Sequence, residues 1–226
     1  MREIVLDTET TGLDPGQGHR VVEIGCIELM NQIPTGREFQ KYVNPEREMP
    51  EAAFRVHGLS SEFLAGHPIF AEIVEDFLAF VGDARLVIHN AAFDLGFLNA
   101  EFTRLGMDPM PTERAVDTVG LARKRFPGAQ ANLDALCRRF NISIEARKDA
   151  HGALLDAKLL ADVYLELLGG RQPGLVLDTA SAPAATPDRP APSKARPPRP
   201  HPPIDPEELA RHEAMVAKLK NPIWKA

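Results

Sequence analysis

Hydrophobic and polar positions change their period several times along this chain, and each change marks an element. "EIVLDT" (3–8) is a short, nearly continuous apolar run and predicts a buried strand. "VVEIGCIELM" (21–30) alternates and is rich in β-branched residues, which predicts a second strand. "EFQKYV" (38–43), after the turn signal "NQIPTG", predicts a third, antiparallel to its neighbour. "IFAEIVEDFLAFV" (69–81) has helical spacing, and "RLVIHN" (85–90) reads as another buried strand. "AFDLGFLNAEFTRLG" (92–106) predicts a helix stopped by Gly106, with Pro109 beyond it. "AVDTVGLARKRF" (115–126) and "NLDALCRRFN" (132–141) read as helices, and "ALLDAKLLADVYLELLGG" (153–170) as a long apolar-rich helix closed by glycines. Strands first, then strand and helix in alternation, predict an α/β domain built on a mixed sheet flanked by helices.

The pattern breaks near residue 170. Ten of the twenty prolines lie between 171 and 204, in runs such as "RPAPSKARPPRPHPP". Proline withholds backbone donors and favours extended structure, and this stretch has little to bury, so about 178–204 reads as a disordered linker. Helical character returns at "DPEELARHEAMVAKLKNPIW": Asp205 suits the cap, Pro206 the first helical position, and Glu208 stands three past the cap. Leu209, His212, Val216 and Leu219 share one stripe. A helix so short is marginal alone in water, so the stripe and the terminal "NPIW", with Trp224 as an aromatic anchor, suggest docking onto another protein. The expected plan is a domain at 1–170, a linker at 171–204 and a binding tail at 205–226.

Composition narrows the partners. A net charge of -6 argues against a general basic surface and against loose binding to duplex phosphates. Contact with nucleic acid then needs metal ions, local basic patches or a partner that delivers the strand. Cys26 and Cys137 stand in apolar contexts and read as reduced core thiols. No signal-peptide pattern and no run of transmembrane length is present, so the expected compartment is the cytoplasm, with no membrane partner.

Candidate chemistry centres on carboxylates. Asp7 and Glu9 end the first strand, and residues i and i+2 project to one face. Paired acids beside a buried run repel unless a divalent cation holds them, and hard oxygen ligands suit magnesium or manganese. Asp94 falls in the first turn of the helix after the strand ending at His89 and Asn90, where the helix dipole favours an acid. Asp156 lies in an otherwise apolar helix between Leu155 and Leu159. His151 stands five residues earlier, about 140° round a helix, so it reads as a loop residue that swings over the site. Two cations about 4 Å apart, held by Asp7, Glu9, Asp94 and Asp156, could bridge a phosphodiester while His151 takes the proton of the attacking water.

"DTETTG", "HNAAFDLGFL" and "HGALLDA" resemble, in order, the three motifs of the DEDD-type 3′–5′ exonucleases, histidine subgroup, over about residues 3–170. The resemblance implies an RNase H-like fold, two Mg²⁺ or Mn²⁺ ions, and release of 3′-terminal nucleotides as 5′-monophosphates. It matches Asp7, Glu9, Asp94 and Asp156 to the metal ligands and His151 to the general base. "LVIHNAAFD", "ARKRFPG", "NLDALCRRF" and "HGALLDAKLLADVYL", together with the plan of nuclease, linker and tail, look most like the proofreading (epsilon) subunits of bacterial DNA polymerase III. That likeness implies a single-stranded 3′ end of DNA as substrate and the polymerase catalytic subunit as partner of a tail carrying Leu209, Val216, Leu219 and Trp224. It also implies a sliding-clamp motif at "QPGLVL" (172–177), with Gln172, Leu175 and Leu177 as anchors, where the start of a plain linker is the other reading.

His57 of "VHG" matches a nucleotide-contacting histidine. The family glutamate five residues before it is replaced by Ala52, with Glu51 one place earlier. Thr8, Thr10 and Gly12 are expected to shape the pocket, Gly12 by permitting a tight turn. Asp117 reads as a helix-start acid, Arg123, Lys124 and Arg125 as a solvated basic run, and Phe93 as core. Two other functions fit the same motifs: a free-standing exonuclease trimming RNA or single-stranded DNA, and a mainly structural bridge between polymerase and clamp.

Overall fold

The computed structural model describes residues 1–145, 152–170 and 205–218. The chain divides into two compact units, Met1–Val176 and Leu177–Ala226. In the first, β1 (Arg2–Thr10), β2 (Val21–Met30) and β3 (Ile33–Tyr42) form an antiparallel meander. β4 (Arg85–Ile88) and β5 (Ala115–Asp117) extend the sheet in parallel on the other side of β1. The strand order β3-β2-β1-β4-β5 places β1 at the centre. Covered on both faces, β1 has no need to alternate, which is why it reads as a continuous apolar run.

The two faces of β1 serve different cores. Ile4 and Leu6 pack with Phe70 and Phe77 of α3 (Phe70–Val81) and with Leu98 and Phe102 of α4 (Ala91–Arg104). Val5 packs with Leu136 of α6 (Leu133–Phe140) and with Leu160 and Val163 of α7 (Ala153–Leu167). Ile4, Val5 and Leu6 are each fully buried; each such side chain contributes about 1.5–3 kcal/mol on the transfer scale, so the strand end is held rigidly. Because side chains alternate, Asp7 and Glu9 continue the Val5 row toward α7, and Thr8 continues the Leu6 row toward α4.

α7 lies directly on β2. A Cβ on Gly25 would fall 2.2 Å from the Leu154 nitrogen and 2.3 Å from the Ala153 carbonyl carbon, so only glycine admits this approach. Further along α7, Tyr164 Oη donates to Glu3 Oε1 of β1 at 2.8 Å. Cys26 and Cys137 are both buried.

Three elements differ from the sequence pattern. The helix expected over 115–126 is a short strand, β5, followed by α5 (Thr118–Arg125). Three residues are too few to show a period, and it is the pairing of Ala115, Val116 and Asp117 with β4 that makes them a strand. β3 begins at Ile33 rather than 38, because Asn31 and Gln32, with φ of 51° and 68°, make the whole turn. β3 is an edge strand, where Pro34 is tolerated. Residues 51–65, unassigned from sequence, hold α1 (Glu51–His57) and α2 (Ser61–Ala65). These are too short for a helical repeat; Gly58, at φ 72°, ends α1.

The second unit contains α8 (Pro206–Val216), whose cap Asp205 accepts the Glu207 N–H at 3.0 Å. The linker expected over 171–204 lies outside the described residues. Among the described residues no helix is long and apolar enough to cross a membrane.

Candidate active site

The C-terminal end of β1 is where the acids gather. Asp7 and Glu9 stand opposite Gly25 and Glu23 of β2. Because α7 begins at Ala153, Asp156 falls in its first turn rather than mid-helix, where the dipole favours a carboxylate. One carboxylate oxygen from each of Asp7, Glu9 and Asp156 lies within 4.8 Å of the other two. Asp156 is buried, and the other two are half-buried. Three anionic groups this close and partly desolvated repel one another, and an all-oxygen donor set is the kind that holds a hard divalent cation.

Asp94 reaches the same strand end from the opposite layer. It sits in the first turn of α4, and its Oδ1 accepts from Thr8 N at 3.0 Å and from Thr8 Oγ1 at 2.7 Å. It is therefore not part of the converging trio, although the sequence grouped all four acids. Burial pushes its carboxyl up to about 7, against the pull of the Thr8 hydrogen bonds, which favour the ionised form.

The start of α4 is braced by the neighbouring β5–α5 junction. Asn90, in the left-handed region at φ 68°, gives its N–H to Asp117 Oδ1, which also accepts from Val119 N. Thr118 Oγ1 donates to the Ile88 carbonyl and lies 2.9 Å from His89 Nδ1. Asp117 is thus more than a helix-start acid, since it also fixes the turn that delivers Asp94.

Glu9 also lines a cavity of about 660 Å³, with the Thr8–Leu13 segment on one side and Ala52, Ala53, Val56, His57 and Phe93 on the other. His57 is the last residue of α1, buried, and its Nδ1 accepts the Leu59 N–H at 3.1 Å. Glu51 does not line this cavity; it faces a separate cleft with Phe54, Ser60 and Glu62, and pairs at 3.9 Å with Arg55. The reason is helical period: residues 52, 53, 56 and 57 share one side of α1, and 51 and 54 another.

Thr10 Oγ1 donates to the Gly12 carbonyl at 2.6 Å. Space rather than a turn sets Gly12 apart: a Cβ there would lie 2.4 Å from the His19 ring, which would have to move. His19 is in turn held at 3.1 Å from Thr11 Oγ1.

Phe93, expected to be core, packs on Phe97 with ring centroids 5.0 Å apart and also walls the cavity. Arg123, Lys124 and Arg125 are all exposed, as expected of a solvated run, and Arg125 in addition donates to the Glu166 and Leu167 carbonyls at 2.6 and 2.7 Å at the end of α7.

His151 lies outside the described residues; its neighbour Gly152 is the N-cap of α7. Gln172, Leu175, Leu177, Leu219 and Trp224 also lie outside them. Leu209 is exposed on α8 and Val216 is buried. The sequence reading passed over Glu23, Gly25 and His19. Glu23 carried a legible signal, a charge inside the apolar run "VVEIG", which is the same oddity that singled out Asp156.

The exonuclease (RNase_T) family model matches residues 4–164. DNA polymerase III subunit epsilon of Rickettsia felis is 55% identical over 175 residues, which is 76% of this chain and 76% of that protein. The subunit of the same name from Escherichia coli K12 is 46% identical over 177 residues, 75% of this chain and 72% of that one. Among solved structures, the nuclease domain of 3′hExo, a DEDDh family member bound to rAMP, aligns with a TM-score of 0.65 at 17% identity, over 74% of this chain and 91% of that domain. At that identity the likeness concerns the fold, an RNase H-like mixed sheet flanked by helices.

Proposed function

This chain belongs to the exonuclease family and is a 3′–5′ exonuclease of the DNA polymerase III epsilon type; from that premise we propose that it clears mismatched 3′ ends of single-stranded DNA at the acids gathered on β1. The observation that carries this reading is the convergence of Asp7, Glu9 and Asp156 within 4.8 Å beside a cavity that Glu9 itself lines.

The family depends on divalent metal, and the donor set here suits it. Asp7, Glu9 and Asp156 would hold one Mg²⁺ or Mn²⁺, and Asp7 with Asp94 a second. Bound there, the pair would supply a nucleophilic water at neutral pH and neutralise the charge that develops on the phosphate and the leaving oxygen. The chain's own groups do the remainder. The Thr8–Gly12 backbone and His57 seat the terminal nucleoside, and Phe93 and Val56 offer apolar faces to its base and sugar. Asp94 is fixed by Thr8 through Oδ1, which leaves Oδ2 to act as the ligand oxygen in this reading. His151, one residue before the cap of α7, would take the proton from the attacking water. The cavity wall joins the apolar faces of Ala52, Ala53, Val56 and Phe93 to polar side chains such as Thr10, Thr11, Gln17 and His19, and the choice of mismatched ends requires no base-specific contact from them. Selectivity for mismatches then follows from the lower cost of unpairing them.

Hydrolysis of a 5′-labelled primer with a 3′ mismatch should proceed in Mg²⁺, stop in EDTA and resume on adding Mn²⁺. Equal rates in EDTA would overturn the metal reading, and faster cleavage of a matched RNA strand would favour the RNA-trimming alternative.

We assign the tail to the polymerase catalytic subunit, with Leu209, Val216, Leu219 and Trp224 as its anchors, and 172–177 to the sliding clamp. A chain lacking 205–226 should keep its rate on free single strands and lose co-elution with the polymerase subunit. Retained co-elution would move that contact to the nuclease domain and leave the tail without its proposed role.

A further inference from the structure

α7 begins without a local cap. Its N-cap residue is Gly152, which has no side chain to offer the exposed backbone donors of the first turn. The acceptor comes instead from 130 residues earlier: Glu23 Oε2, on β2, receives the Ala153 N–H at 3.1 Å. The Glu23 carboxylate is almost completely buried, at 1% exposure. Its other oxygen accepts from Gln40 Nε2 at 2.8 Å on β3, so both oxygens are engaged. Two places along the same strand, Gly25 lets the backbone of Ala153 and Leu154 rest against β2. The strand therefore supplies both a landing site and a hydrogen-bond acceptor for the first turn of α7.

That first turn carries the chemistry. The Asp156 N–H closes onto the Gly152 carbonyl at 2.9 Å, so Asp156 is placed by the same turn that Glu23 caps. Glu23 also stands directly opposite Glu9 in the β1–β2 ladder, and the ladder shifts register just after Glu9. A sub-ångström displacement of α7 along β2 would thus pull Asp156 away from Asp7 and Glu9 while leaving both sheet acids in place. We propose that Glu23 is a positioning residue for the metal-binding acids: it fixes the first turn of α7 against β2 and so sets the distance between Asp156 and the Asp7–Glu9 pair. This inference rests on the proposed metal site, and it assigns Glu23 an acceptor's role, not a ligand's.

Two variants separate the possibilities. Glu23→Gln keeps an acceptor oxygen for the Ala153 N–H, while the Gln40 amide can turn to meet the new NH₂. Glu23→Ala removes the acceptor altogether. Supporting partners of metal ligands typically alter metal affinity or activity by about 10- to 100-fold, so Glu23→Ala should raise the Mn²⁺ concentration for half-saturation by about ten-fold or more. That change is read directly by paramagnetic resonance of bound Mn²⁺ and, independently, by exonuclease rate. Glu23→Gln should change the midpoint by less than about ten-fold, below the lower end of that scale.

All variants are compared at a temperature where circular dichroism shows them fully folded without Mn²⁺, because an unfolded fraction in equilibrium with the folded chain would itself raise the apparent Mn²⁺ midpoint. An unchanged midpoint in Glu23→Ala overturns the proposal. So does a Glu23→Gln variant as impaired as Glu23→Ala, since the negative charge would then matter rather than the acceptor. Absence of Mn²⁺ binding by the parent chain would instead overturn the metal site itself, so the two failures are distinguishable.

Discussion

Replacing Asp156 by asparagine should lower kcat on single-stranded DNA by about three orders of magnitude, because a bound cation supplies several kcal/mol of charge stabilisation and each 1.36 kcal/mol is ten-fold in rate. The substitution is nearly isosteric and leaves the turn of α7 intact, since the Asp156 N–H bond to Gly152 belongs to the backbone. In EDTA the variant should melt no lower than the parent, because one of three mutually close anions within 4.8 Å has been removed. A merely structural aspartate would give the opposite pairing, lower melting with a modest loss of rate. A stopped assay in Mg²⁺ beside a melting curve in EDTA decides between them; a loss in kcat of no more than about 10- to 100-fold, the scale of outer supporting groups, would remove Asp156 from the metal site.

The positions of these acids were legible in the sequence to different depths. Asp7 and Glu9 were the easiest, because two residues apart on a strand means one face whatever the rest of the fold does. Asp156 stood out as a charge in an apolar helix, yet its place in the first turn depends on where α7 starts. That start is set by Gly25 and Glu23 on a strand 130 residues away, which no local pattern shows. The approach of Asp94 from the other layer follows from the orientation of Thr8, an even-numbered residue between two odd-numbered acids. The alternation was visible, but the layer to which α4 belongs was not.

The misreadings have the same origin. Glu51 stands one place from the position of the family glutamate, but no period marks 51–57; these residues form a helix, whose turn geometry brings Ala52 to the cavity and Glu51 to a separate cleft. β5 exists because β4 offers it a ladder, and Gly12 is glycine because of a ring seven residues on. Local period reports which residues will be buried. It does not report which backbone they will be buried against, and the site is assembled from those contacts.

Asp94→Asn tests that assembly from the other layer, and two effects of opposite sign are expected. Activity should fall by about three orders of magnitude in Mg²⁺, by the same conversion as for Asp156. Stability in EDTA should rise at neutral pH. The sign follows from proton linkage. Burial raises the Asp94 carboxyl from 3.8 to about 7, so between those values the folded chain holds a proton that the unfolded chain has released. The stabilisation from that proton is fully present below about 3.8 and is lost as pH rises to about 7. Asparagine has no such proton to lose, and its amide oxygen still accepts from Thr8 N and Oγ1. The variant should therefore match the parent near pH 4 and exceed it at pH 8 by on the order of 1–3 kcal/mol in denaturant titrations. Added Mg²⁺ should reverse the ranking, because the cation binds the ionised carboxylate and stabilises only the parent. If the two chains keep a constant difference from pH 4 to 8 in EDTA, Asp94 is ionised throughout, and the charge it places at the strand end is balanced by protein groups, without need of a metal.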